Sequence, residues 1–211
     1  MKVKICGITR KEDAIICEKL GIDYLGFNFY SGSKRFIKPE SAKFIISELK
    51  KIKTIGVFVE NDLDSINKIV EFCGLDGIQI HSEQSPVFCN KIKREFPGLI
   101  IIQAFRIKSS IPENINDFDA DYFIFDSFDE RQFGGTGKIF DWKILDKAGE
   151  ILKKTFIAGG VNPDNVEKIV FLTNIYGIDV ASGVEISPGI KDKNKIKCLL
   201  SKIGRLNEKD A

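Results

Sequence analysis

The feature that most constrains this chain is a repeated pattern. Short apolar, β-rich runs recur along it, each followed by a longer amphipathic stretch. The runs occupy 3–6, 24–29, 54–59, 77–80, 100–105, 122–126, 155–158 and 178–181. Their near-continuous hydrophobicity suits strands buried on both faces, as a parallel sheet between helices requires. The stretches between them carry helix punctuation. Thr9 and Glu12 have the spacing of a capping box. Ser85-Pro86 and Asn162-Pro163 each set a capping side chain before a proline at a first helical position, and Pro39 opens 39–50 in the same way. The stretches 62–72 and 192–203 repeat apolar residues at helical spacing. The stretch 111–118, with Pro112 and many Asn and Asp residues, predicts a short or irregular element. Eight units of about 26 residues each fit a compact (β/α)8 barrel, an α/β single domain over 1–211. An open doubly wound sheet is the alternative, because strand count alone does not separate the two.

Composition narrows the function classes. A net charge of +2 gives no bulk attraction for nucleic acid or a membrane surface. Lysines such as Lys50, Lys51 and Lys53 alternate with apolar residues and read as a solvated face. The five cysteines are odd in number and widely spaced, and no C-x-x-C pair occurs. That argues against a disulfide framework or a zinc site and for a reducing compartment. The first residues hold too short an apolar run for a signal peptide, and no stretch approaches membrane-spanning length. A cytoplasmic location is the expectation.

In a parallel barrel the chemistry belongs at the C-terminal ends of the strands and in the loops that follow them. Those positions are polar. Cys6-Gly7 ends the first run; Asn28 and Ser33-Lys34-Arg35 follow the second; Gln79 and His81 belong to the fourth; Asp126 ends the sixth. Cys6 stands apart from the other cysteines because it faces the expected site beside a glycine, where a thiolate serves as base or nucleophile. Asp126 follows an apolar run, and Phe123 and Phe125 are expected to wall it and keep its carboxyl protonated. Arg35 offers a guanidinium fork for a planar carboxylate. His81, the single histidine, reads as a binding rather than an acid–base group. The loop 127–139, with Gly134, Gly135 and Gly137, reads as a lid with glycine hinges. Gly159-Gly160 after the seventh run and Ser182-Gly183 after the eighth, near Asp179, point to backbone N–H groups arranged around a phosphate.

Taken in order, these segments resemble the phosphoribosylanthranilate isomerase family. The resemblance is carried by Lys4-Ile5-Cys6-Gly7-Ile8-Thr9, Gly26-Phe27-Asn28-Phe29 with Ser33-Lys34-Arg35, Gln79-Ile80-His81, Phe125-Asp126-Ser127, Gly134-Gly135-Thr136-Gly137-Lys138, Ala158-Gly159-Gly160-Val161-Asn162-Pro163 and Asp179-Val180-Ala181-Ser182-Gly183-Val184-Glu185. It runs from residue 2 to about residue 200 and departs at Ser82, where the family usually has glycine, and over 107–119, where no motif is found. The resemblance implies an Amadori rearrangement in tryptophan biosynthesis. Asp126 would be the general acid that opens the ribose ring and Cys6 the general base that removes the C2′ proton. Arg35 would hold the anthranilate carboxylate, with Gln79, His81 and Asp179 as further substrate-binding residues. Gly159, Gly160, Ser182 and Gly183 would hold the phosphate. Two positioned acid–base groups need no metal or redox cofactor, and none is expected. The expected partner is a phosphorylated aminoaldose, with no nucleic acid and no membrane. A monomer is expected, a homodimer being the alternative. Two other readings stay open on the residues: a histidine-pathway sugar isomerase, which would use aspartates as acid and base and against which Cys6 speaks, and a non-catalytic phosphate-ligand binding domain.

Overall fold

The computed structural model describes residues 1–59, 61–81, 85–127, 142–172 and 174–206. Eight parallel strands close on themselves in sequence order: β1 (Lys2–Cys6), β2 (Tyr24–Asn28), β3 (Lys53–Phe58), β4 (Gly77–Ile80), β5 (Ile100–Ile107), β6 (Tyr122–Ser127), β7 (Thr155–Ile157) and β8 (Gly177–Val180). The ring is sealed between its first and last strands, where Lys4 lies beside Asp179 and Ile5 beside Val180. Closure decides between the two architectures left open by the sequence. The strands match the eight apolar runs to within two residues at each end.

Helices surround the barrel: α1 (Lys11–Lys19), α2 (Pro39–Ile46), α3 (Leu63–Cys73), α4 (Pro86–Glu95), α5 (Val166–Leu172) and α6 (Lys193–Lys202). Asp62 and Asp192 cap α3 and α6, each accepting from backbone N–H groups of the first turn. Three cap expectations fail. Thr9 donates its hydroxyl to the Gly189 carbonyl (2.6 Å) and leaves α1 without a side-chain cap, so the expected capping box is absent. Ser85 makes no side-chain cap bond, although Pro86 does open α4. Asn162 builds a turn by accepting from the Asp164 N–H, and α5 starts only at Val166. The irregular stretch after β5 is a single 3-10 turn, Ile115–Asp117. Two more 3-10 segments, Trp142–Lys147 and Gly149–Lys154, precede β7.

Alternation along each strand sorts side chains between two cores. Val3, Ile5, Phe123, Phe125 and Ile178 belong to the outer core between sheet and helices. Ile55, Ile102, Ala104, Ile124, Phe156 and Ala158 form a separate inner cluster with Tyr24. The lower mouth of the barrel is closed by tyrosines: Tyr176 hydroxyl is hydrogen-bonded to those of Tyr24 (2.8 Å) and Tyr122 (3.0 Å), and Tyr122 and Tyr176 stack at 4.3 Å.

The same lower end carries a threefold repeated clamp. Asp23, Asp76 and Asp121 each lie just before an even-numbered strand. Each accepts from the backbone N–H of the preceding odd strand, at Val3 (2.9 Å), Thr54 (2.9 Å) and Ile101 (2.8 Å). Each also pairs with a lysine: Lys2, Lys53 and Lys93 respectively. The N–H of the aspartate returns a bond to the carbonyl of the same strand residue. These carboxylates therefore fix the stagger between adjacent strands.

Candidate active site

Continuing the inner alternation to the upper end of the strands produces a polar pocket. From β1 come Cys6 and the following Gly7, from the β2 side Asn28, Ser33 and Arg35, from the β4 side Gln79 and His81, from β6 Asp126, and from β8 Asp179. The loops after β7 and β8 contribute Gly159, Gly160, Val161 and Ser182. The expected site residues thus converge on one cavity, with two qualifications. Gly134, Gly135 and Gly137 lie outside the described residues. Gly183 does not border the pocket. A Cβ at Gly183 would overlap the Val161 carbonyl oxygen and reach Asn162 Cβ at 2.8 Å. This glycine lets the loops after β7 and β8 touch.

Asp126 and Cys6 border the same cavity. The Asp126 carboxyl is buried and accepts from the Ser127 N–H at 2.8 Å. Burial, reinforced by the negative charge of Asp179, pushes it up to about 7, against the pull of the Ser127 N–H, Lys4 and Arg106. It is therefore substantially protonated at neutral pH, as an acid must be. The expected wall is not its cause. Phe123 and Phe125 alternate to the outer core, and the inward neighbour on the strand is Ile124. His81 Nε2 lies 3.6 Å from Asp126 Oδ2. Burial, with Lys4 and Arg106 nearby, drives the imidazole down to about 4, so it is neutral at working pH. Its Nδ1 lies 3.5 Å from Gln79 Nε2.

Around Cys6 the chain assembles cations that sequence reasoning passed over. Lys4 is fully buried and donates to Asp179 Oδ1 at 2.9 Å. Lys191, on the short strand β10 (Ile190–Lys191) that pairs with β9 (Glu185–Ser187), donates to the Cys6 carbonyl at 2.6 Å and to Glu185 Oε1 at 2.7 Å. Burial pushes the Cys6 thiol up; Lys4 opposes it, Asp179 adds to it and Lys191 opposes it again, leaving a net rise.

Arg35 is already held by a carboxylate of its own chain. Its Nε and Nη2 donate to both oxygens of Glu185, at 2.9, 3.1 and 2.7 Å. Glu185 was legible only as part of a motif, yet it ties Arg35 to Lys191 and hence to the carbonyl of Cys6. Burial raises the Glu185 carboxyl, but Arg35 and Lys191 outweigh it and hold it below the usual range. Gly7 has a positive φ of 77°, and a Cβ there would overlap Arg35 Cδ, so only glycine lets the guanidinium cross the end of β1.

The loop after β7 has the form expected of an anion cradle. Gly159 and Gly160 both take positive φ, 76° and 69°. The Gly160 carbonyl is occupied by the side-chain amides of Asn162 (3.1 Å) and Asn165 (2.9 Å). The N–H groups of Gly160 and Val161, by contrast, meet no acceptor among the described residues. No group of three or more potential metal-ligating side chains occurs among the described residues.

The chain as a whole is matched by known proteins. The model of the N-(5'-phosphoribosyl)anthranilate isomerase family matches residues 3–202. The chain belongs to that family. An N-(5'-phosphoribosyl)anthranilate isomerase of Geobacter sp. (strain M21) is 39% identical, the match covering 98% of this chain and 99% of the relative. Among solved structures, the phosphoribosyl anthranilate isomerase of Thermus thermophilus superposes with a TM-score of 0.85 at 32% identity, over 98% of this chain and 100% of the other. A phosphoribosyl anthranilate isomerase in complex with reduced 1-(o-carboxyphenylamino)-1-deoxyribulose 5-phosphate gives 0.81 at 30% identity, with the same coverage.

Proposed function

We propose that the pocket at the upper mouth of the barrel converts N-(5'-phosphoribosyl)anthranilate to 1-(2-carboxyphenylamino)-1-deoxyribulose 5-phosphate, the isomerase step of tryptophan biosynthesis, with Asp126 as acid and Cys6 as base. Family membership supports the reaction. The observation that carries the assignment of roles is the placement of a carboxyl poised at about 7 and a thiol in one cavity. Asp126 donates its proton to the furanose ring oxygen as the anilino nitrogen pushes open the ring, giving an open-chain iminium. The Cys6 thiolate then removes the C2′ proton, and the electron pair left behind neutralises the iminium as an enolamine. Tautomerisation of the enol yields the ketose.

The remaining groups bind and orient. The Gly159–Gly160 turn and Ser182 take the phosphate through backbone N–H groups. Arg35, its plane fixed by Glu185, addresses the substrate carboxylate with the edge of the guanidinium that Glu185 leaves open. Neutral His81 and Gln79 offer hydrogen bonds without adding charge beside the acid, and Asp179 completes the sugar side. The substrate is a small phosphorylated molecule. The enzyme works as a single (β/α)8 domain over 1–211, as a monomer in the cytoplasm. Two of its most exposed aromatic rings, Phe44 and Phe72, are covered by the ammonium groups of Lys11 and Lys43, at 5.2 and 4.2 Å from the ring centroids. The loss of anthranilate fluorescence on incubation with the aminoaldose tests the reading. Turnover abolished in both Cys6→Ala and Asp126→Asn supports it, and turnover retained in either, with folded protein, overturns the assigned roles.

A further inference from the structure

A buried lysine inside a barrel of apolar layers needs a reason. Lys4 is fully buried, and it sits two residues before Cys6 on the same inward face of β1. Its ion pair with Asp179 occupies one of three N–H donors. The Cys6 side chain is its neighbour on the same face of β1. Space for this meeting is made by Gly26 on β2, the lateral partner of Cys6. A Cβ at Gly26 would meet Cys6 Sγ at 2.7 Å and Lys4 Nζ at 3.1 Å, so any side chain there would wedge the sulfur and the ammonium apart.

Other charged groups face Cys6 from every side. Lys191 of β10 bonds the Cys6 carbonyl, Asp179 of β8 lies behind Lys4, and Arg35 and Asp126 border the same cavity. Lys191 and Arg35 are both engaged by Glu185. Of these cations, Lys4 is the one whose ammonium shares with the Cys6 sulfur the space over Gly26. We propose that Lys4 is a positioning residue for the base: locked by Asp179 and given room by Gly26, its ammonium sits beside the Cys6 sulfur and favours its thiolate form. This rests on Cys6 being the base. Burial raises the Cys6 thiol, and Lys4 is the largest of the charges that oppose the rise. Burial pulls the Lys4 ammonium down, but Asp179 and Cys6 more than reverse it, so it stays charged.

The test reads the thiol directly. Cys198 is the exposed competitor, whereas Cys17, Cys73 and Cys89 are buried. In a Cys198→Ser background, the rate of iodoacetamide alkylation at Cys6, identified by peptide mass spectrometry, is followed against pH. Lys4→Met removes the charge. Lys4→Gln removes it but keeps a donor for Asp179, and serves if the methionine variant does not fold. The expected result is an inflection moved upward by about one pH unit or more in the neutral variants. It should stay near the parent's in Lys4→Arg. kcat should fall about tenfold or more in the neutral variants, with the affinity for inorganic phosphate unchanged. An unmoved inflection in a folded neutral variant overturns the proposal, even if activity falls. Retained turnover in Cys6→Ala would instead overturn the base assignment, so the two failures are distinguishable.

Discussion

The two ends of the barrel use the same residue types for opposite purposes. At the lower end, Asp23 and Asp76 receive a backbone N–H and a lysine each. Burial alone would raise them, but these partners win, and both carboxyls lie below the ordinary aspartate value. At the upper end, Asp126 is more deeply buried and has the anion Asp179 as its neighbour; its carboxyl rises to about 7. Lysine divides the same way. Lys2 and Lys53 are half-exposed and exchangeable with solvent, whereas Lys4 has no exposure at all. The lower end spends its charges on strand stagger. The upper end holds groups in protonation states that water would not favour.

The stability consequences have opposite signs. A carboxyl whose folded pKa is raised contributes stability below its unfolded pKa of about 3.9 and loses it as pH rises through the folded value. Asp126 should therefore destabilise the fold increasingly as pH climbs from about 4 through 7. A carboxyl whose folded pKa is lowered contributes stability above about 3.9 and loses it as pH falls through the folded value. Asp23 and Asp76 belong to that class.

Breaking the upper end should have the largest effect. Asp126→Asn and Cys6→Ala should each lower kcat by about two orders of magnitude or more, with phosphate binding retained. Asp126→Asn should also raise the denaturation midpoint above pH 7, because a buried carboxylate has been removed. A variant equally dead and less stable at that pH would mean that the carboxyl is structural. Next in size is the clamp on Arg35. Glu185→Gln should release the guanidinium and raise KM by about tenfold with a smaller change in kcat, and steady-state kinetics separates the two. The smallest effect belongs to the lower end. Asp76→Asn should cost about 1–2 kcal/mol at neutral pH, a loss that shrinks on acidification, and should leave kcat within about twofold. Urea melts at two pH values, paired with turnover, check both halves.

Much of this was legible in the sequence because the alternation of apolar runs fixes where strands end, and strand ends fix where chemistry can sit. That logic placed Cys6, Arg35, Gln79, His81, Asp126, Asp179, Gly159, Gly160 and Ser182 correctly at one mouth. What it missed depends on closure. Lys4, a lysine within an apolar run, is given no role. Period two puts it on the face of Cys6, but only the pairing of β1 with β8 sets Asp179 beside it. Glu185 meets Arg35 across 150 residues, a separation that no local pattern reports. The misplaced Phe123 and Phe125 wall is a different kind of error. Period-two alternation already puts 123 and 125 on the face opposite Asp126, so that signal was present. Thr9 failed as a cap because a tertiary acceptor, the Gly189 carbonyl, competed for its hydroxyl.

Carboxyl titration tests the contrast between the two ends most directly. Selective 13C labelling of aspartate, with Asp126→Asn and Asp76→Asn used to assign resonances, follows each group through pH by NMR. The account predicts that the Asp126 carboxyl titrates near pH 7, while Asp23 and Asp76 titrate below the ordinary value of about 3.9. An Asp126 resonance titrating with the others near 4 would contradict it, since no acid would then be poised at the mouth of the barrel.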